Sequence, residues 1–136
     1  MSNLKLEAAQ LLASTRSVTM SSINPEGYPV PVAMVPVKTD GLQTIYLSTI
    51  TSSNKVKNIQ ANPKTGISFY KNFNGVTLIG DMEIVTDRAI KAEVFDERWM
   101  TKHFPGGVDD PEYTLLKFTA KSGVVAINEE FERIQF

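Results

Sequence analysis

At 136 residues, with 42% hydrophobic and 21% charged side chains, the chain has the make-up of a globular protein, and as a single domain over residues 1–136 it would bury roughly two-thirds of its unfolded surface. A formal net charge of −1 argues against a dedicated nucleic-acid binder, and the lack of cysteine excludes disulfides, cysteine–zinc sites and thiol nucleophiles. Residues 1–7 carry no basic region followed by an apolar run and no stretch is apolar for long enough to span a bilayer, so a cytoplasmic protein with no membrane partner is expected.

Leu4, Ala8, Leu11 and Leu12 recur at helical spacing and predict an amphipathic helix over residues 3–14. From Ser17 to Asn24 the pattern alternates, with Val18, Met20 and Ser22 on one face. The run Asn24-Pro25-Glu26-Gly27 has turn chemistry, and a second strand is expected from Tyr28 to Lys38. Pro29, Pro31 and Pro36 lack ladder donors, which places that strand at an edge, at a bulge or beside a ligand. After the turn at Thr39-Asp40-Gly41, Ile45, Leu47 and Thr49 face one way in a third strand.

A hydroxyl-rich turn then enters a short helix near Ser53, with Ser52 or Ser53 as N-cap, Val56 and Ile59 facing the core, and Asn62-Pro63 as its stop. Lys55 falls in the first helical turn, where the helix dipole disfavours a cation. Beside free N–H groups and the hydroxyls of Ser48, Thr49, Ser52 and Ser53, such a lysine would be stabilised by a bound anion, and a phosphate fits. Between Gly41 and Gly80 there are four lysines (Lys55, Lys57, Lys64 and Lys71) and no acid. The plain alternative is that these lysines cover the solvent face of a helix and its loops.

Strands are expected over Gly66–Asn72 and Val76–Thr86, joined by an Asn74-Gly75 turn, with Val76, Leu78, Gly80, Met82 and Ile84 on one face. Asp87 would cap a helix carrying Ile90, Val94 and Trp99 that ends before Pro105. Tyr113–Thr119 and Gly123–Asn128 read as a closing hairpin, and the acidic tail from Glu129 as one more short strand. Six or seven strands, mostly hairpin-connected, with helices at one end and after the third and fifth strands, point to a mainly β, antiparallel barrel with flanking helices. His103 reads as a helix-end residue, and Trp99 as core packing or as a stacking surface at a subunit boundary. Asp109, Asp110 and Glu112 read as a solvated acidic loop, and no metal site is expected.

Three groups of motifs resemble the pyridoxamine 5′-phosphate oxidase-like flavoproteins, most closely their general stress protein branch. The first is Gly27-x-Pro29, Met34, Asp40-Gly41 and Tyr46-x-Ser48-Thr49. The second is Ser53-x-Lys55-Val56-x-Asn58-Ile59-x-x-Asn62-Pro63. The third is Gly80-x-Met82-Glu83-Ile84-Val85-x-Asp87, Trp99, Phe104-Pro105-Gly106-Gly107 and Asp110-Pro111-x-Tyr113. The resemblance implies a split barrel that forms a homodimer and binds flavin mononucleotide (FMN) at the subunit interfaces. It implies that Ser48, Thr49, Ser53, Asn54 and Lys55 hold the phosphate and ribityl chain, with Ala33, Met34 and Val35 against the isoalloxazine ring and Trp99 near the flavin. Val32 stands where members often carry an arginine. Nothing from Tyr113 to Phe136 supplies the Arg-x-His pair of the true oxidases, so oxidation of pyridoxamine 5′-phosphate is not expected. The function implied is an FMN-dependent oxidoreductase of unnamed substrate. The alternatives are a stress-response protein carrying flavin or haem without turnover, and a barrel binding nucleic acid through the lysines with Tyr70 and Phe73, which the chain's acidity disfavours.

Overall fold

The structure, a computed structural model, describes residues 3–136. A first helix, α1 (Leu4–Ser14), precedes four strands: β1 (Val18–Ile23), β2 (Pro29–Met34), β3 (Pro36–Asp40) and β4 (Thr44–Ile50). Helix α2 (Asn54–Ala61) leads to β5 (Lys64–Lys71) and β6 (Asn74–Val85). Two short helices, α3 (Arg88–Glu93) and α4 (Met100–His103), and a 3-10 turn at Gly107–Asp109 lie before β7 (Tyr113–Ile127) and β8 (Glu130–Gln135). All pairings are antiparallel, in the order β2-β1-β5-β6-β7-β4-β3, with β8 on the distal half of β7.

That order forces the sheet to curl. β2 and β3 are its two outer strands, yet only Val35 separates Met34 from Pro36. Laid flat, seven strands would hold their outer members about 29 Å apart, whereas two residue steps reach about 7 Å. The ends therefore meet without pairing, which makes the barrel a split one. The expected single strand from Tyr28 to Lys38 is thus two strands, on opposite margins of the sheet. Its prolines lie where the pattern placed them: Pro29 and Pro31 in one outer strand, and Pro36 beside a register shift in the other.

The inward faces follow the alternation. Val18, Met20, Ile45, Leu47, Ile67, Phe69, Val76, Leu78 and Met82 are buried in one cluster, closed by Leu4, Ala8 and Leu12 of α1 and Ile59 of α2. A second cluster forms outside the barrel, where Val94, Met100 and Phe104 pack on Tyr113 and Leu115 of β7.

Other boundaries differ from the local pattern for identifiable reasons. The turn between β5 and β6 is Asn72-Phe73, not Asn74-Gly75. Lys71 pairs with Asn74, and Asn72 and Phe73 have φ of 51° and 64°. Asn128 and Glu129 repeat this geometry before β8, and both loops have the doubly left-handed character of a two-residue hairpin turn. The expected helix from Asp87 breaks at Val94 into α3 and α4; Asp87 does cap α3, its Oδ1 accepting from the Ala89 N–H at 2.8 Å. The expected hairpin at Thr119–Gly123 is instead a bulge within one fifteen-residue strand.

Glycine is required on both sides of that bulge. A Cβ on Gly80 would overlap the Thr119 carbonyl oxygen, well within van der Waals contact distance, and one on Gly123 would lie 2.5 Å from the Thr77 carbonyl oxygen. Gly80→Ala should force β6 and β7 apart and lower stability by roughly 1–3 kcal/mol. Gly66→Ala should stay within about 1 kcal/mol of wild type, because its Cβ would meet nothing closer than 3.6 Å. Urea unfolding of both variants checks this; equal midpoints would refute it.

Candidate functional site

Strand β4 ends at Ile50 and the chain turns into α2 through Thr51, Ser52 and Ser53. Three bonds fix the turn to the start of β7. The Thr51 N–H donates to the Glu112 carbonyl at 2.9 Å, the Thr51 and Thr114 hydroxyls meet at 2.6 Å, and the Ser52 hydroxyl donates to the Glu112 carboxylate at 2.7 Å. The window that is free of acids in sequence therefore receives one through space. Ser53 occupies the N-cap position by its backbone (φ −72°, ψ 155°), but its hydroxyl does not cap. That hydroxyl is buried without a hydrogen-bond partner. Thr49 is 6% exposed, and its side chain too makes no hydrogen bond among the described residues. Lys55 is half-buried in the first turn of α2, which has no acidic residue there, and it forms no ion pair among the described residues.

The opposite wall comes from the α3–α4 segment. Tyr113 is its anchor: 2% exposed, its ring 5.4 Å from Phe95 and 5.1 Å from Phe104, its hydroxyl donating to the Lys91 carbonyl at 3.0 Å. Exposed ion pairs add two ties, Lys38–Glu93 at 2.6 Å and Arg88–Asp109 at 2.8 Å. The Arg88 guanidinium holds the Asp109 carboxyl below the usual aspartate range. Trp99 packs on the second cluster with part of its surface free, and the His103 ring lies 6.2 Å from it, edge-on.

Between these walls lies a cleft of about 240 Å³, lined by Ala33, Met34 and Val35 at the split, by Ser48, Thr49, Ile50 and Lys55, and by Trp99, His103 and Phe104. Seven of the nine residues singled out from sequence meet here. Ser53 and Asn54 do not line it: Ser53 sits behind it at the cap, and Asn54 opens α2 on the exposed side. Lys57, Lys64 and Lys71 are exposed elsewhere; Lys64 stands opposite Asp81 in the strand register, while the Asp81 carboxylate pairs with Lys121. Val32 packs against the barrel core. Sequence reasoning left out Ile50, Phe104 and His103; the four-residue spacing of Trp99 and His103, which puts both on one helical face, was the available signal.

Larger grooves lie elsewhere: about 590 Å³ past Tyr70, Phe73 and Phe131, about 680 Å³ beside Lys38 and Glu93, about 310 Å³ beside Glu7 and Asn74, and about 290 Å³ beside Lys64 and Asp81. The 240 Å³ cleft sets Lys55, which has no ion pair among the described residues, beside the Ser48 and Thr49 hydroxyls with no carboxylate in its lining, whereas the groove at Lys64 and Thr65 also contains Asp81. Such a site suits a ligand with an anionic end and a flat apolar body. Among the described residues no three acidic or histidine side chains group as a metal site, and no helix is long and apolar enough to cross a membrane.

The antiparallel split barrel is the architecture that the comparisons then identify. The family model described as pyridoxamine 5′-phosphate oxidase matches residues 4–124, and the chain belongs to this family, in its general stress protein branch. A protein related to general stress protein 26 of Bacillus subtilis (pyridoxinephosphate oxidase family), from Clostridium acetobutylicum, is 33% identical over 98% of this chain and 94% of its own, with a TM-score of 0.87. General stress protein 26 from Bacillus anthracis shares the fold at 20% identity, over 98% of this chain and all of its own (100%), with a TM-score of 0.80. A haem-binding protein from Mycobacterium smegmatis shares it at 16% identity, over 99% of this chain and 58% of its own, with a TM-score of 0.77. Among curated proteins none matches.

Burial pushes the Tyr113 hydroxyl up to about 12. The unfolded chain therefore ionises this tyrosine first, so its contribution to stability is intact below about pH 10 and is lost as the pH rises towards about 12. Urea unfolding from pH 9 to 12 should show wild type losing about 2–3 kcal/mol relative to Tyr113→Phe, at about 1.4 kcal/mol per pH unit of displacement. Parallel curves for the two proteins would refute the assignment.

Proposed function

We propose that the cleft holds flavin mononucleotide and that the protein is a cytoplasmic, homodimeric FMN-binding oxidoreductase. One observation carries the reading: a half-buried Lys55 with no ion pair faces a cleft that no carboxylate lines, beside the partnerless hydroxyls of Thr49 and Ser53. In this reading Lys55 pairs with the phosphate, Ser48 and Thr49 hold the phosphate and ribityl chain, and Ser53 and Asn54 support them from the cap of α2. Ala33, Met34 and Val35 lie along the isoalloxazine ring, and Trp99 closes the far wall. Bound FMN supplies hydride chemistry, while the chain supplies position, charge and the exclusion of water.

A second copy of the chain is part of the reading. The cleft's 240 Å³ falls short of the roughly 300–1,000 Å³ of small-molecule sites, which suits a site completed by a partner. An apolar outer face is available for the contact, with Phe73 91%, Phe131 77% and Tyr70 67% exposed. Sedimentation should therefore give twice the 15.1 kDa chain mass, and a monomer at micromolar concentration, with or without flavin, would overturn the dimer.

A stress-response carrier that holds flavin or haem without turnover is the second reading, favoured by the haem-binding relative from M. smegmatis. The absorption spectrum of purified protein separates a flavin from a haem.

Lys55→Met keeps the aliphatic stem and removes the charge. A charge-assisted contact contributes about 1.5–3 kcal/mol, so FMN should bind roughly 10- to 150-fold more weakly. Riboflavin, which has no phosphate, should be nearly unaffected, and ligand-free stability should be unchanged or slightly higher because an unfavourable dipole contact is lost. Flavin titrations test this, and equal losses for the two flavins, or none for either, would sink the phosphate assignment.

A further inference from the structure

His103 is the only histidine in the chain, and the structure sets it at the cleft mouth. It is exposed, at the end of α4, with the Trp99 ring centroid 6.2 Å and the Phe104 ring centroid 6.4 Å from its own. The two rings restrict its orientation, while neither of its nitrogens has a hydrogen-bond partner among the described residues. A surface imidazole flanked by two aromatic rings and left free at its nitrogens is set up to bond something outside the chain. The other ionisable group lining the cleft is Lys55, on the opposite wall.

The remaining lining narrows what that ligand is. If FMN occupies the cleft as proposed above, a reading on which this inference rests, Lys55, Ser48 and Thr49 are taken up by its phosphate end. The lining beyond the proposed flavin contacts is apolar, Ile50 and Phe104, with the Trp99 and Phe104 rings beside His103. A molecule entering there meets a flat apolar wall and one polar handle. A sugar or an amino acid would leave most of its polar groups unpaired, which disfavours it. A flat conjugated ring with an oxygen acceptor at its edge matches both features. We propose that His103 recognises the substrate of this cleft by donating a ring N–H hydrogen bond to a carbonyl oxygen of a quinone-class molecule.

The single histidine makes the test direct, because the imidazole Hε1 resonance can come from no other residue. Menadione serves as the probe; it attacks thiols, and the chain has none. Titrated into oxidised, FMN-loaded protein, it should shift the imidazole resonance saturably, with no turnover involved. His103→Phe keeps the aromatic packing and should weaken menadione binding roughly two- to tenfold, as expected for one neutral hydrogen bond. His103→Gln retains a donor and should bind within about twofold of wild type. Methylnaphthalene, which has the ring but no oxygen, should bind all three proteins alike. An imidazole signal unmoved while menadione saturates, or a Phe variant that binds menadione as wild type does, would overturn the proposal. FMN retention is measured first: FMN that fails to bind overturns the cofactor reading and this inference with it, whereas FMN that binds beside an imidazole unmoved by menadione overturns this inference alone.

Discussion

The structure depends on one connection. Val35 alone joins the two outer strands, so the sheet has no option but to curl until its margins meet. The seam left there is the outer edge of β2 at Ala33 and Met34, whose inner edge pairs with β1, together with Val35, and it becomes one wall of the cleft. β4 lies beside β3, so its end delivers Ser48, Thr49 and the loop into α2 to the same place. The binding surface is thus the gap in the barrel, not something added to a finished fold. The second apolar cluster then carries Trp99 and His103 to the open side.

Much of this was legible because local chemistry and tertiary demand agreed. The alternation in β1, β4 and β6 named their inward faces correctly, and Asn62-Pro63 ended α2 as expected. The errors share one physical origin: each lies where a contact distant in sequence decided the backbone. Nothing within Tyr28–Lys38 says that its halves pair with β1 and β4 on opposite margins. Lys121-Ser122-Gly123 reads as a turn, but Gly123 is there because the Thr77 carbonyl passes too close for any side chain. Asn74-Gly75 is a strong turn signal, but Gly75 is paired with Ala126 of β7 and so stays in the strand.

The site was legible to the extent that its chemistry is local. Lys55 could be singled out because its conflict with a helix dipole is contained within one turn. Glu112, which reaches Ser52 from a separate loop, was invisible to a count along the chain, and so was the free position of the His103 nitrogens. A cation at an unfavourable helix position can be read from spacing; an imidazole left without a partner cannot, because partners are defined only once the chain has folded.

The prolines of the outer strands have a consequence for how copies of this chain can associate. A split barrel keeps two unpaired strand edges, and such edges invite other chains to add strands. Proline within a ladder turns its donorless nitrogen away from the partner strand, so Pro29 and Pro31 remove N–H groups from the free side of β2. Pro36, beside its register shift, interrupts β3 in the same way. Strand addition at either margin is therefore discouraged, and open-ended aggregation along the sheet is blocked. The barrel can keep its seam unsealed while meeting its neighbours through side-chain faces rather than through its backbone.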